Sequence, residues 1–168
     1  ASGDIRLVPA GELLTRYALY RLPGYASCRD QNPQPLIAVC DGNLTLEHLD
    51  LDAPAPDAHP VAGFLITGQL TVRGNITSKN TDARSLVVLG NLHAGNVAIS
   101  GPSLLVRGNA VVDGVYCGSQ HGASCVDGDL VARLQIFDHH HFEIGGETRA
   151  PKAAPDSVQW SQPKGDVP

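Results

Sequence analysis

The chain has no methionine, one tryptophan and only 5% aromatic residues over 168 positions, and charged residues make up 17%. Those shortages exclude an aromatic-rich binding surface and a disordered, charge-dominated chain. Lys and Arg number 12 against 17 Asp and Glu, a net charge of −5, so no basic patch is available to neutralise phosphates. No nucleic-acid partner is expected on that ground. No apolar run approaches the ~20 residues of a membrane-spanning helix, so no membrane partner is expected either. Ala1-Ser2-Gly3-Asp4 has neither the basic start nor the apolar centre of a signal peptide. Without an initiator Met, the chain is expected to be processed or trimmed.

Glycine and proline are what the sequence has in quantity, 18 and 12 residues. Both point to short extended pieces separated by turns, and with the β-branched content they exclude a long helical fold. The Gly residues are ordered. Cys-Asp-Gly42-Asn-Leu, Ile-Thr-Gly68-Gln-Leu, Val-Leu-Gly90-Asn-Leu, Val-Arg-Gly108-Asn-Ala and Val-Asp-Gly128-Asp-Leu share one context at spacings of 26, 22, 18 and 20 residues. Two positions before each Gly stand Cys40, Ile66, Val88, Val106 and Val126. Two after it stand Leu44, Leu70, Leu92, Ala110 and Leu130, and four after it Leu46, Val72, Ala94, Val112 and Ala132. Apolar residues at −2, +2 and +4 have the period of two of a strand with one buried face. One such unit cannot bury that face alone, whereas stacked units can.

The fold expected is therefore all-β, a right-handed parallel β-helix (β-solenoid) of about five coils with a short N-terminal helical cap. A β-sandwich of short hairpins is the competing architecture, disfavoured because the order here is Gly-Asn inside apolar runs rather than Asn-Gly between them. Each Gly is expected to bend the strand or admit the neighbouring coil closely. The Asn, Gln, Asn, Asn and Asp that follow are expected to form a side-chain ladder. Residues 1–37 form the cap segment, with Leu13, Leu14, Tyr17 and Tyr20 near one helical face. Residues 38–145 form the solenoid, with an inserted loop at Asp52–Pro60, and 146–168 a Pro/Gly-rich tail that is extended or disordered unless Trp160 docks.

The four cysteines fall into local pairs that permit disulfides Cys28–Cys40 and Cys117–Cys125 in an oxidising compartment. The alternative is that Cys40, Cys117 and Cys125 fill apolar core positions as small hydrophobes. No Cys-x-x-Cys zinc signature is present, nor a Gly-x-Ser-x-Gly, a phosphate-binding Gly-x-x-x-x-Gly-Lys or a His-Glu-x-x-His. A thiol–imidazole pair of His121 with Cys117 or Cys125 lacks a third, orienting group, and no catalytic residue is assigned.

Chemistry concentrates in Phe137-Asp138-His139-His140-His141-Phe142-Glu143-Ile144. In an extended conformation His139, His141 and Glu143 point to one side, a donor set suited to zinc or iron, while Asp138, His140, Phe142 and Ile144 point to the other. His121 and His141 each follow a repeat Gly by 13 residues, which would stack one over the other. The candidate surface is thus His121, Asp138, His139, His140, His141 and Glu143, at one edge of the solenoid. Three roles are open for it. It terminates the stack, with Phe137 and Phe142 clamping the core and histidines blunting the last strand edge; it binds a partner in a pH-sensitive way; or it holds a metal. No cofactor is required by the first two.

The central block, above all Val106-Arg-Gly-Asn-Ala-Val-Val-Asp-Gly-Val, Asp127-Gly-Asp-Leu-Val-Ala-Arg and Asp138-His-His-His-Phe-Glu-Ile, resembles uncharacterised bacterial β-solenoid proteins of the polymer-forming, bactofilin-like type. The resemblance covers roughly the central 100 residues. It implies a right-handed β-helix, a scaffolding or partner-binding role, a cytoplasmic location in a bacterium, and no catalytic residues. Bonded cysteines would instead indicate a periplasmic or secreted protein. The chain departs from a self-polymerising member in its irregular coil lengths and in the extra segments at both ends, which would block end-to-end stacking. A non-enzymatic scaffold or protein-binding module is the function expected. The alternatives are an immunity protein neutralising a bacterial toxin, and a metal-binding enzyme or sensor using the His-rich edge.

Overall fold

The computed structural model describes residues 5–19, 32–53 and 61–149. Tyr20, Cys28, most of the Asp52–Pro60 insertion, Trp160 and the tail beyond Arg149 lie outside them. The chain is a parallel β-solenoid with two sheets as walls. The first wall contains β1 (Ile5–Pro9), β2 (Leu36–Cys40), β5 (Val61–Ile66), β7 (Ser85–Val88), β9 (Ser103–Val106), β11 (Ala123–Val126) and β13 (His141–Ile144), in that order. The second runs from β3 (Leu44–Leu46) through β6 (Leu70–Thr77), β8 (Leu92–Ser100), β10 (Ala110–Ser119) and β12 (Leu130–Asp138) to β14 (Thr148–Arg149), with β4 (Leu49–Asp50) also pairing β6. Every pairing between coils is parallel, which a sandwich of hairpins would not produce.

The columns read from the sequence are the register of the stack. Cys40, Ile66, Val88, Val106, Val126 and Ile144 are successive partners in the first wall. Leu44, Leu70, Leu92, Ala110 and Leu130 are partners in the second. Their side chains, with Leu86, Leu104 and Val97, form one continuous inner core. The stack also continues one abbreviated rung past Gly128. Gly146 N donates to Gly128 O at 3.0 Å, and Thr148 and Arg149 pair with Leu130 and Val131. Residues 146–149 therefore belong to the solenoid rather than to a tail.

Close approach is what demands the repeat Gly. Gly68, Gly90, Gly108, Gly128 and Gly146 each donate N–H to the carbonyl of the Gly one coil earlier, at 3.0–3.1 Å. A Cβ at Gly108 would lie 2.3 Å from Asn91 Oδ1 and 2.8 Å from Gly90 O. The following residue builds a different ladder from the amide-to-amide one expected. The Oδ1 atoms of Asn43, Asn91, Asn109 and Asp129 accept the backbone N–H of Gln69, Asn109, Asp129 and Glu147 at 2.8–2.9 Å. A short acceptor is thus wanted at this position because the backbone turns there and leaves an N–H that no wall strand satisfies. Asn and Asp both supply it.

From β2 to β11 the strands of the first wall are apolar on both faces, as buried parallel strands tend to be. Val39, Leu65, Val87, Leu105 and Cys125 point away from the inner core and join Val8, Leu13, Leu14 and Leu19 in a second, outer core. The element that covers them is α1 (Ala10–Tyr17), whose buried positions are Ala10, Leu13 and Leu14. It starts at the first coil, where Ala10 N donates to Pro35 O at 2.9 Å. It ends three coils on, where the Arg107 guanidinium donates to Tyr17 O and Ala18 O at 3.1 and 3.2 Å while pairing with Asp127 at 2.9 Å. That cation satisfies carbonyls left over at the helix C-terminus and matches the sign of its dipole. The N-terminal cap thus has two parts: β1 pairs antiparallel along the outer edge of β2, and α1 lies lengthwise over the wall.

The last three corners from the second wall back to the first each place one residue in the left-handed region: Gly101 (φ 90°), Gln120 (φ 63°) and His139 (φ 53°). Left-handed backbone costs an ordinary residue about 1 kcal/mol that Gly avoids, part of which is returned through Gly's looser unfolded state. Gln120→Gly is accordingly expected to leave stability unchanged or raise it by up to ~1 kcal/mol in urea unfolding, although it adds a glycine. A loss above ~1 kcal/mol would show that the Gln120 side chain has a role of its own.

Candidate functional site

The His-rich segment forms the last corner of the solenoid and its final first-wall strand. Alternation along β13 holds as expected: His141 and Glu143 are exposed on the outer face, and Phe142 and Ile144 pack on the inner core. Phe137 and Phe142 close that end, their ring centroids 4.1 Å apart, with Tyr116 set edge-on to Phe142 at 5.6 Å. The clamp expected from the sequence is therefore present.

The corner itself is not extended. The left-handed turn at His139 keeps Asp138 and His139 at the surface, where Asp138 Oδ1 meets His139 Nδ1 at 2.6 Å, and sends His140 inward. His121 packs against His139, ring centroids 6.4 Å apart, not against His141. The reason is a residue count. Ala123 is the register partner of His141, because β10 gains one residue over β12 at the bulge between Val112 and Val115, and the earlier corner (Gln120-His121-Gly122) has one more residue than the later one (His139-His140). His139, His141 and Glu143 are thereby divided between the corner and the outer face of β13. Among the described residues no three His, Cys, Asp or Glu side chains come together as a metal site would require.

Neither expected disulfide is formed by the described cysteines. Cys125 lies in the outer core beneath α1, whereas Cys117 is half-buried on the outer side of the second wall, in register with Ala98 and Ile136. The two thiols face away from the lumen on opposite walls, so no bridge can join them. Cys40 is a buried thiol of the inner core, and its expected partner Cys28 lies outside the described residues.

What the sequence reading missed is a buried polar chain around His140. The imidazole occupies a slot made by two glycines: a Cβ at Gly118 would lie 2.7 Å from its Cδ2, and one at Gly122 2.7 Å from its Cε1. Nδ1 faces Ser119 O at 3.2 Å and Nε2 faces Ser124 Oγ at 2.8 Å. Tyr116 donates its hydroxyl to the same Ser124 oxygen at 2.7 Å. A carbonyl only accepts, so Nδ1 carries the proton, Nε2 accepts from the Ser124 hydroxyl, and each proton of the chain has one acceptor. Burial pulls the His140 imidazole below its usual titration range, with the neighbouring His141 charge adding to it and the Ser119 carbonyl opposing. Burial likewise pushes the Tyr116 phenol up.

A hydroxyl bonded to an imidazole is the pairing of a nucleophile and its base. Here Ser124 is 0% exposed and Tyr116 engages the same oxygen, so no substrate atom reaches it. One sequence signal was available. Ser124 stands in the column of Ala38, Phe64, Leu86 and Leu104, and Tyr116 in that of Ile76 and Val97, two polar groups in apolar columns of neighbouring strands.

Fold and corner together define the chain as a parallel β-solenoid with a helix-covered wall and an aromatic end that buries a histidine. Compared with known proteins, it matches no family model, no curated protein and no solved structure.

Proposed function

We propose that the chain is a non-enzymatic β-solenoid module that binds a flat-faced protein partner on the open outer side of its second wall. The observation that carries this reading is the difference between the two walls. The outer face of the first is covered by α1 from β2 to β11. On the second, two lengthwise rows remain at the surface, Thr71-His93-Val111-Val131 and Thr77-Ala98-Cys117-Ile136, with no described element over them. Val111 and Ile136 are 38% and 44% exposed, large apolar side chains in rows that also carry Thr71, Thr77 and His93. Apolar residues amid a polar surround on a flat, rigid sheet suit a protein interface. The antiparallel β1 on the edge of β2 favours a discrete module over an end-to-end polymer, because that edge is already paired.

The test is a paired capture from the host extract with the wild-type chain and a Val111→Arg, Ile136→Arg variant, followed by reconstitution with the purified candidate. The expected result is a defined complex with the wild type, slowed amide exchange along β8, β10 and β12, and at least a tenfold weaker complex with the variant. A complex whose footprint lies elsewhere, a variant that binds equally well, or mass that grows with concentration in light scattering would overturn the proposal.

A further inference from the structure

We propose that His140 is a proton-operated latch: protonation expels its imidazole from the slot between Gly118 and Gly122 and releases β13 from the end of the solenoid. This goes beyond the binding reading and does not depend on it.

The geometry allows only the neutral ring. In that state Nδ1–H points at Ser119 O, and Nε2 takes the proton of Ser124, which in turn accepts from Tyr116. A second ring proton would sit on Nε2 and point at Ser124 Oγ, an atom that Tyr116 already supplies with a proton. Three protons would then meet at two oxygens, leaving a buried donor without an acceptor. Among the described residues the new charge also meets no counter-ion. The titratable groups around it are Tyr116 from β10, Cys125 from β11, His121 from the preceding corner, Asp138, His139 and His141 from its own corner, and Glu143 on β13. Asp138 is already bonded to His139, Glu143 lies on the opposite face of β13 from the inward Phe142 and Ile144, and Ser124 and Tyr116 are neutral. Slot walls without side chains give the ring a close fit and no means of adjusting. The ring can escape charge repulsion and the orphaned proton only by leaving.

Departure has a defined consequence. Among the described residues β13 has one strand neighbour, β11, and the His141 N–H bond to Gly122 O at 2.9 Å ties its start to the slot itself. Losing the slot frees the start of the strand and lifts Phe142 from Phe137 and Tyr116, so the inner core opens at this end only.

The sign follows from linkage. A histidine held below its unfolded value takes up a proton on opening, so closure is strongest above the usual value of 6.5 and weakens as pH falls through the window from there to the lower closed-state value. Within that window the opening constant changes by about tenfold per pH unit for one proton.

Amide hydrogen exchange of segment 141–149, corrected for intrinsic rate, reads this directly in the intact chain between pH 8 and pH 5. Protection there is expected to fall by about tenfold per pH unit over part of that range while β7 and β9 keep theirs. A triple variant, His121→Gln, His139→Gln and His141→Gln, is expected to retain the response, and His140→Gln to lack it. If His140→Gln does not fold, the imidazole titration of the wild type by NMR decides: its midpoint must lie below 6.5 and coincide with the change in β13 amide signals. A pH-independent β13, a response that disappears in the triple variant, or one that persists in a folded His140→Gln would each overturn the latch.

Discussion

Gly108→Val is expected to cost ~4 kcal/mol or more, enough to leave little folded protein, since domains of this kind have ~5–15 kcal/mol in total. The side chain would project into the coil below, where Asn91 Oδ1, Gly90 O and the Gly90 carbonyl carbon lie within 2.9 Å of the Cβ position. Two of those atoms are backbone and cannot rotate away. Moving them breaks the Gly108 N–H bond to Gly90 O, and displacing Asn91 removes the acceptor of Asn109 N–H. Gly128 in turn donates to Gly108 O, so the disturbance is passed along the column. Gly42→Ala is the matched control. Gly42 begins the column with no coil before it, and a Cβ there meets nothing within 4 Å. Only its positive φ of 87° opposes the change, worth about 1–2 kcal/mol. Urea unfolding of both variants checks the argument. Similar losses at the two positions would mean that backbone conformation, not contact between coils, is what the column selects for.

Columns of this kind were legible because stacking places like positions in one environment. Five short segments that are individually unremarkable agree at −2, +2 and +4, and only a repeating interior demands that agreement. The last rung escaped notice because it is where the demand lapses. Ile144-Gly145-Gly146-Glu147-Thr148 keeps the Gly but has Glu at +1 and Thr at +2, as suits a strand exposed at the end of the stack. The −3 positions, Val39, Leu65, Val87, Leu105 and Cys125, were equally visible as apolar residues in unbroken runs. Two apolar faces on one strand announce two burials. The inner columns accounted for only one of them, and the partner of the other is an eight-residue helix whose docking depends on tertiary contacts.

The corner was legible in its alternation and not in its turn. His140, Phe142 and Ile144 inside, with His141 and Glu143 outside, follow from period two alone. Whether Asp138 and His139 continue that pattern depends on a left-handed residue that sequence does not announce at a histidine, and the identity of the residue stacked on His139 depends on one extra position in the preceding corner. Repeat arithmetic counted forward from the Gly column missed it, because two residues are added between Gly108 and β11, one at the bulge after Val112 and one in the corner, so equal offsets from the Gly no longer mark equal positions.

Covering one wall with a helix makes that helix separable from the solenoid in energy, and Leu14→Asp is expected to show it. Leu14 is 1% exposed in the outer core with Leu65, Val87 and Leu105 as members of the same cluster. Its replacement forfeits ~2–3 kcal/mol of apolar burial and places a carboxylate in a cluster of apolar side chains. The chain has a less costly response than burying that charge: α1 can detach. The inner core contains no residue of α1, and the bonds between coils run along the two walls and their turns, so the solenoid has no direct need of the helix to remain stacked. Thiol chemistry separates the outcomes. Cys125 lies under the helix side at 3% exposure, Cys40 in the inner core at 3%, and half-buried Cys117 serves as the reference outside both. In the variant, Cys125 is expected to react with a maleimide at a rate approaching that of Cys117 while Cys40 stays protected, with peptide mapping to assign the adducts. Reaction of Cys40 together with Cys125 would show that the helix and stack unfold as one unit. Protection of both, with unchanged stability, would show that the Leu14 position is not part of the seal. The expected pattern also fixes the order of events on heating. The bare wall, an apolar stripe across five coils, would be exposed before the stack is lost, and aggregation would then track helix release rather than solenoid unfolding.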